Sequence, residues 1–193
     1  GNIVNVTNVT IEKYIGNQRG WNILSSPFQT NTTLSSLASA SNIDIDFVRP
    51  TVKTFNANNT WTAAASGDSW GANSGLALFT KGISGEGING VYSANPSYVK
   101  LVVTGTLNTG TLTTTTVNAN TWTLVSNPYP APISVSSILA NSSLTGSTVA
   151  WYDAKANTTS VKEKGGGFYT ATPSGTAGAS LDVPTHLACG RTA

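Results

Sequence analysis

Trp122-Thr123-Leu124-Val125-Ser126-Asn127-Pro128-Tyr129 repeats the chemistry of Trp21-Asn22-Ile23-Leu24-Ser25-Ser26-Pro27-Phe28 position by position: tryptophan, a polar residue, two branched aliphatics, serine, a small polar residue, proline, an aromatic ring. In each copy the run before the proline reads as a strand, which the proline stops because it cannot donate to a ladder. A short apolar period follows both. Leu34, Leu37 and Ala38 fall at i, i+3 and i+4 behind Thr32 or Thr33, and Val135, Ile138 and Leu139 lie at the same distances behind Ser134. Each copy therefore predicts a strand, a proline turn and a helical turn. The equivalent Trp21 and Trp122 are expected in the core, and the Tyr129–Pro130 peptide is a candidate for the cis form.

The composition favours sheet around this repeat. Only 9% of the 193 residues are charged, Thr, Ser and Asn are abundant, and the apolar set is rich in β-branched and aromatic residues. Ten basic and eight acidic residues form no basic run that could track a row of phosphates, which excludes nucleic acid as an expected partner. No apolar stretch is long enough to span a membrane. The single cysteine, Cys189, and the single histidine, His186, both lie in Pro184–Ala193, where Ala-Cys-Gly-Arg-Thr reads like a cloning polylinker translated out of frame. Residues 184–193 are accordingly expected to be an expression scar. The rest then has no disulfide, no soft-metal site and no histidine for catalysis.

Taken in order, Asn2 to Ile15 predicts a bulged strand or two short ones, with Val9, Ile11 and Lys13 on one face and a change of face near Thr7-Asn8. Asn42 to Val48 alternates and predicts a strand. Val52 to Phe55 and Thr60 to Ala64 predict a hairpin around Asn56-Ala57-Asn58-Asn59, echoed near Val149 to Thr158. Leu76 to Thr80 is a short apolar strand, and Asn89-Gly90 marks a tight turn. Tyr98 to Leu107 and Thr111 to Val117 are the longest expected strands, joined by Asn108-Thr109-Gly110.

Val9 to Ile15 followed by Arg19 to Pro27, then Gly105-Thr106-Leu107-Asn108-Thr109-Gly110, Trp122 to Pro130 and Gly165-Gly166-Gly167-Phe168, resemble in content and order a segment of large secreted and cell-surface proteins of the Bacteroidetes. The resemblance runs from Val9 to about Val183. It implies a β-rich module of an adhesin-like or enzyme-bearing protein exported by the type IX secretion system. It implies no catalytic residues.

Candidate sites follow from residue chemistry. Trp61, Trp70 and Tyr92, with Asn58 and Asn59 beside them, could stack sugar rings and bind their hydroxyls; Trp151, Tyr152, Tyr98 and Tyr129 extend the aromatic set. Asp44 and Asp46, two apart on an expected strand, would point the same way and could help hold Ca²⁺, or act as an acid/base pair, or form a solvated face that resists edge pairing. Gly85-Glu86-Gly87-Ile88-Asn89-Gly90 matches a dinucleotide fingerprint in letters only, because a strand and Pro96 follow where a helix is required. Ser25, Ser26 and Ser126 have no histidine partner outside the tail.

The expected fold is all-β: an antiparallel two-sheet sandwich over residues 1–183, with related halves at 9–118 and 119–183 in pseudo-twofold relation and short helices on the rim. The expected function is a non-catalytic adhesion or carbohydrate-binding module of a larger surface protein, extracellular and monomeric as a domain, with a glycan or cell-surface polymer as partner and no cofactor beyond Ca²⁺. The alternatives are a polysaccharide hydrolase drawing on Asp44, Asp46, Asp68, Glu86 and Asp153, and a structural spacer without ligand.

Overall fold

Strand β1 (Val9–Ile15) alternates as read: Val9, Ile11, Lys13 and Ile15 turn inward while Thr10, Glu12 and Tyr14 are exposed. The computed structural model describes residues 8–15, 19–56, 58–86, 96–112, 121–131, 148–153, 167–172, 175–176 and 188–191. Asn8, where the face was expected to change, has a positive φ of 57°. The antiparallel partner of β1 is β8 (Val99–Gly105), with Ile15 opposite Val99 and Val9 opposite Gly105. In β8 the residues Val99, Leu101 and Val103 are buried, so both strands of this ribbon put their aliphatics on the same side.

A four-stranded antiparallel sheet faces them, in the order β2 (Gly20–Ser25), β7 (Gly75–Thr80), β4 (Val52–Phe55), β5 (Trp61–Ala63). Leu24 of β2, Leu76 and Leu78 of β7 and Val52 of β4 join Ile15, Val99, Leu101 and Val103 in one core. Helix α1 (Leu34–Ser41) closes it with Leu34 and Leu37, capped at its start by Thr33, whose side chain accepts from the Ser36 amide. A side-chain bond ties the end of the helix to the ribbon: Ser41 Oγ accepts from the Val102 amide at 2.9 Å. Phe28, just past the proline, fills one end of the core and pairs with Leu107. Gly105 permits this approach, because a Cβ there would stand 2.8 Å from the Phe28 ring. The two short strands β3 (Thr32–Thr33) and β6 (Ser69–Trp70) pair beside the helix.

The remaining strands form a five-stranded antiparallel sheet, ordered β12 (Gly175–Thr176), β11 (Gly167–Thr172), β10 (Thr148–Asp153), β13 (Ala188–Arg191), β9 (Trp122–Thr123). Residues 188–191 of the tail thus make a strand between β10 and β9. Among the described residues the chain is all-β with one short helix.

Four expectations need correction. The strand expected to run up to Pro128 is only Trp122–Thr123, and 124–128 form no strand. Asn42 to Val48 is not a strand: Asn42 is a left-handed helix cap (φ 51°) whose amide returns to Ala38 and Ser39, and Asp46 bends the chain by accepting the Val48 and Arg49 amides. Local capping and Asx-turn chemistry overrode the alternation. The Tyr129–Pro130 peptide is trans. Trp21 and Trp122 are half-buried and lie outside the main core, because Leu24 already claims the core side of β2 and a residue three positions away must face the other way. The helical turn expected at Val135, Ile138 and Leu139, the Asn89-Gly90 turn and most of Thr111 to Val117 lie outside the described residues.

Lys13 carries its charge on the inner face of β1, and burial lowers its pKa to about 8. The folded chain therefore holds a desolvated cation at neutral pH and sheds the proton earlier than the unfolded chain does, so stability gains from this group between about pH 8 and the ordinary lysine range. Lys13→Met is expected to raise the urea midpoint at pH 7, with the advantage shrinking as the pH is taken to 10. An advantage independent of pH would refute the assignment.

Candidate functional site

The two sequence copies meet in space. The face of β2 opposite the main core carries Trp21 and Ile23, and Ile23 packs with Trp122 and Leu124 of the second copy together with Phe55, Trp61 and Tyr152. Leu124 can lie on the sheet because Gly75 has no side chain; a Cβ there would overlap the Leu124 methyls. Ser25 Oγ accepts from the Asn127 amide at 3.3 Å, linking the copies directly.

The residue before each proline makes the same local bond. Ser26 Oγ accepts from the Phe28 amide and Asn127 Oδ1 from the Tyr129 amide, both two residues ahead, and both side chains are buried. Asn108 joins the two turns. Its backbone amide donates to the Pro27 carbonyl at 3.0 Å and its side-chain amide to the Pro128 carbonyl at 2.9 Å, with a further contact to Asn73.

This joint accounts for several predicted ligand residues. Trp61 is half-buried and meets Phe55 edge-on, with ring centroids 5.1 Å apart. Asn59 accepts the Trp122 amide through its side chain at 2.8 Å, and the Asn58 amide donates to Asn56. Trp70 is only 5% exposed, and its indole N–H donates to the Ser74 carbonyl, so its ring faces are covered by core. Tyr92 lies outside the described residues. Trp21 meets Phe79 edge-on, and the Lys53 ammonium sits 5.0 Å from the Trp21 ring centre.

The carboxylates also have neighbours to hold. Asp44 accepts from Ser84 Oγ and the Gly85 amide, both at 2.7 Å. Asp46 accepts the Val48 and Arg49 amides and lies 3.5 Å from both Arg49 and Lys81; the Arg49 amide is the largest of the causes that lower its pKa. Asp68 accepts the Ala65 amide. Glu86 receives the Ser97 hydroxyl and amide and the Ile83 amide, which lower its pKa in that order. Asp44 and Asp46 are thus directed to different loops. No group of three or more potential metal-ligating residues occurs among the described residues.

An open aromatic face lies elsewhere, on the solvent side of the β1–β8 ribbon. Tyr14 and Tyr98 are 70% and 67% exposed. Tyr14 stands opposite Lys100, and Tyr98 directly precedes β8, two residues before Lys100 in the chain. Next along the ribbon, Lys100 Nζ bonds Glu12 at 2.7 Å, an interaction that raises the lysine pKa. Beyond that, Thr10 and Thr104 share a hydroxyl hydrogen bond of 2.7 Å. Tyr14 was missed in the sequence because Val9 to Ile15 read as a strand of the core; the alternation that buries Ile15 is what turns Tyr14 outward.

No family model, curated protein or solved structure matches the chain. No helix among the described residues is long and apolar enough to cross a membrane.

The shared pre-proline bond makes a direct prediction. Asn127→Ala leaves the Tyr129 amide and the Ala131 carbonyl without their partner and is expected to cost about 2 kcal/mol. Asn127→Ser restores the bond used by Ser26 in the first copy and should recover roughly half of that loss, read from urea unfolding. Equal losses for the two variants would show that the copies do not share this turn.

Proposed function

We propose that the chain is a non-catalytic adhesion or carbohydrate-binding module of a larger secreted or cell-surface protein, built as a duplicated β-sandwich. The observation that carries the binding reading is the pair Tyr14 and Tyr98, both largely exposed at one end of a regular antiparallel ribbon. Strand β1 fixes the backbone beneath Tyr14 and Tyr98 directly precedes β8, and exposed aromatics beside a rigid sheet suit stacking against the C–H faces of sugars. Thr10, Glu12, Lys100 and Thr104 supply hydroxyl, carboxylate and ammonium groups on the same face for sugar hydroxyls.

Support for duplication comes from the matching bonds of Ser26 and Asn127 and from the contact of Ile23 with its counterpart Leu124. The halves are 9–118 and 119–183. Secretion rests on the sequence resemblance and on a surface made soluble by hydroxyls and amides. A carboxylate hydrolase would need two carboxyls facing one cleft, whereas Asp44, Asp46, Asp68 and Glu86 hold the amides and hydroxyls of nearby loops. Those bonds favour the binding reading.

Pull-down on a panel of soluble and insoluble polysaccharides, with reducing-sugar release measured in the same samples, tests the proposal. Binding without release is expected, and it should be abolished in Tyr14→Ala/Tyr98→Ala while the thermal midpoint changes little. Release of sugar would contradict the module, and undiminished binding by the double variant would contradict the face.

A further inference from the structure

Resting on that binding reading, we infer that the occupant of the β1–β8 face is a neutral, unbranched, β-linked glycan lying along the ribbon. Charge is the first argument. Glu12 and Lys100 are the charged residues among those facing solvent on this ribbon, and they neutralise each other at 2.7 Å, so the face offers no net charge to a polyanion. An acidic polymer would have to compete with Glu12 for Lys100. A neutral polymer can instead accept from the ammonium and donate to the carboxylate without separating them.

Arrangement is the second. Groups succeed one another along the ribbon as the tyrosines, then the ion pair with Val102 opposite Glu12, then the two threonines, spanning Thr10 to Tyr14 on β1 and, on the other side, Thr104 back to Tyr98 just before β8. Same-face residues lie about 7 Å apart along a strand, so the array covers roughly 20 Å. That length suits several linked sugar units rather than one. Glucose- or xylose-type units joined by β-linkages keep their hydroxyls equatorial, so both ring faces carry C–H groups that can lie on tyrosine, and the hydroxyls point sideways toward Glu12, Lys100 and the threonines. Axial hydroxyls or branches would lift the chain off a flat face.

Titration calorimetry of the intact chain with cellohexaose and, separately, with polygalacturonate, each at low and high NaCl, tests this. Cellohexaose is expected to bind with an affinity that salt leaves unchanged. Tyr98→Ala should weaken it roughly tenfold. Glu12→Gln, which removes the partner of Lys100, should add salt-sensitive binding of polygalacturonate. Tighter binding of polygalacturonate by the unmodified chain, lost in Tyr98→Ala, would overturn the neutral-glycan assignment and leave the binding face standing. Binding of either polymer that ignores both Tyr14→Ala and Tyr98→Ala would overturn the face itself. No binding of either polymer, or self-association through this face in sedimentation, would overturn both.

Discussion

Asn108 donates its main-chain amide to the carbonyl of Pro27 and its side-chain amide to the carbonyl of Pro128, and the placement of the two proline turns beside each other depends on that clamp. Pro27 closely follows β2 and Pro128 lies in the irregular stretch after β9, and each leaves its carbonyl without a ladder partner beside the buried Ser26 or Asn127. A buried carbonyl left unpaired would cost about 1–3 kcal/mol. One asparagine, itself only 4% exposed, satisfies two such carbonyls and so fixes one turn relative to the other. Phe28 is carried into the core beside Leu107 by the first of these turns, and Tyr129 reaches Gly110 with its hydroxyl from the second.

The rest of the packing follows from how a strand divides its residues. Leu24 goes to the core shared with the ribbon and helix α1, while Trp21 and Ile23 go to the opposite face, where Trp122, Leu124 and Tyr152 meet Ile23 and Phe79 meets Trp21. The sheet β2–β7–β4–β5 is therefore apolar on both sides, and its aromatic residues are needed for packing. Among the described residues the two most exposed aromatic side chains, Tyr14 and Tyr98, stand by the outer face of the β1–β8 ribbon, whereas Phe168, also exposed, packs edge-on against Tyr152. Isolated exposed apolar residues are ordinary; two tyrosines at one end of the ribbon beside a neutral ion pair form a surface.

The sequence made the strands legible in most places where alternation was backed by a clear stop, although the run before Pro128 pairs only at Trp122–Thr123. Val9 to Ile15, Trp21 to Ser25, the hairpin around Asn56, Leu76 to Thr80 and the helical turn behind Thr33 all have such punctuation and all form. Asn42 to Val48 failed because Asn42 and Asp46 hydrogen-bond to nearby amides, and such local bonds are invisible to a pattern of apolar and polar letters. The site was less legible than the fold. Proximity to turn residues suggested exposure for Trp70, yet the indole N–H finds the Ser74 carbonyl and the ring closes the core. Asn59, read as a free amide for sugar, is bonded to the main chain of Trp122, a pairing 63 residues apart that no local pattern can reveal.

Amide hydrogen exchange on Asn108→Ala tests the clamp most directly. If Asn108 holds the two turns together, protection should fall together in Trp21–Ser25 and Trp122–Thr123, while the ribbon centre at Ile11 and Leu101 keeps its protection. Loss confined to one copy, with the other unchanged, would contradict the account.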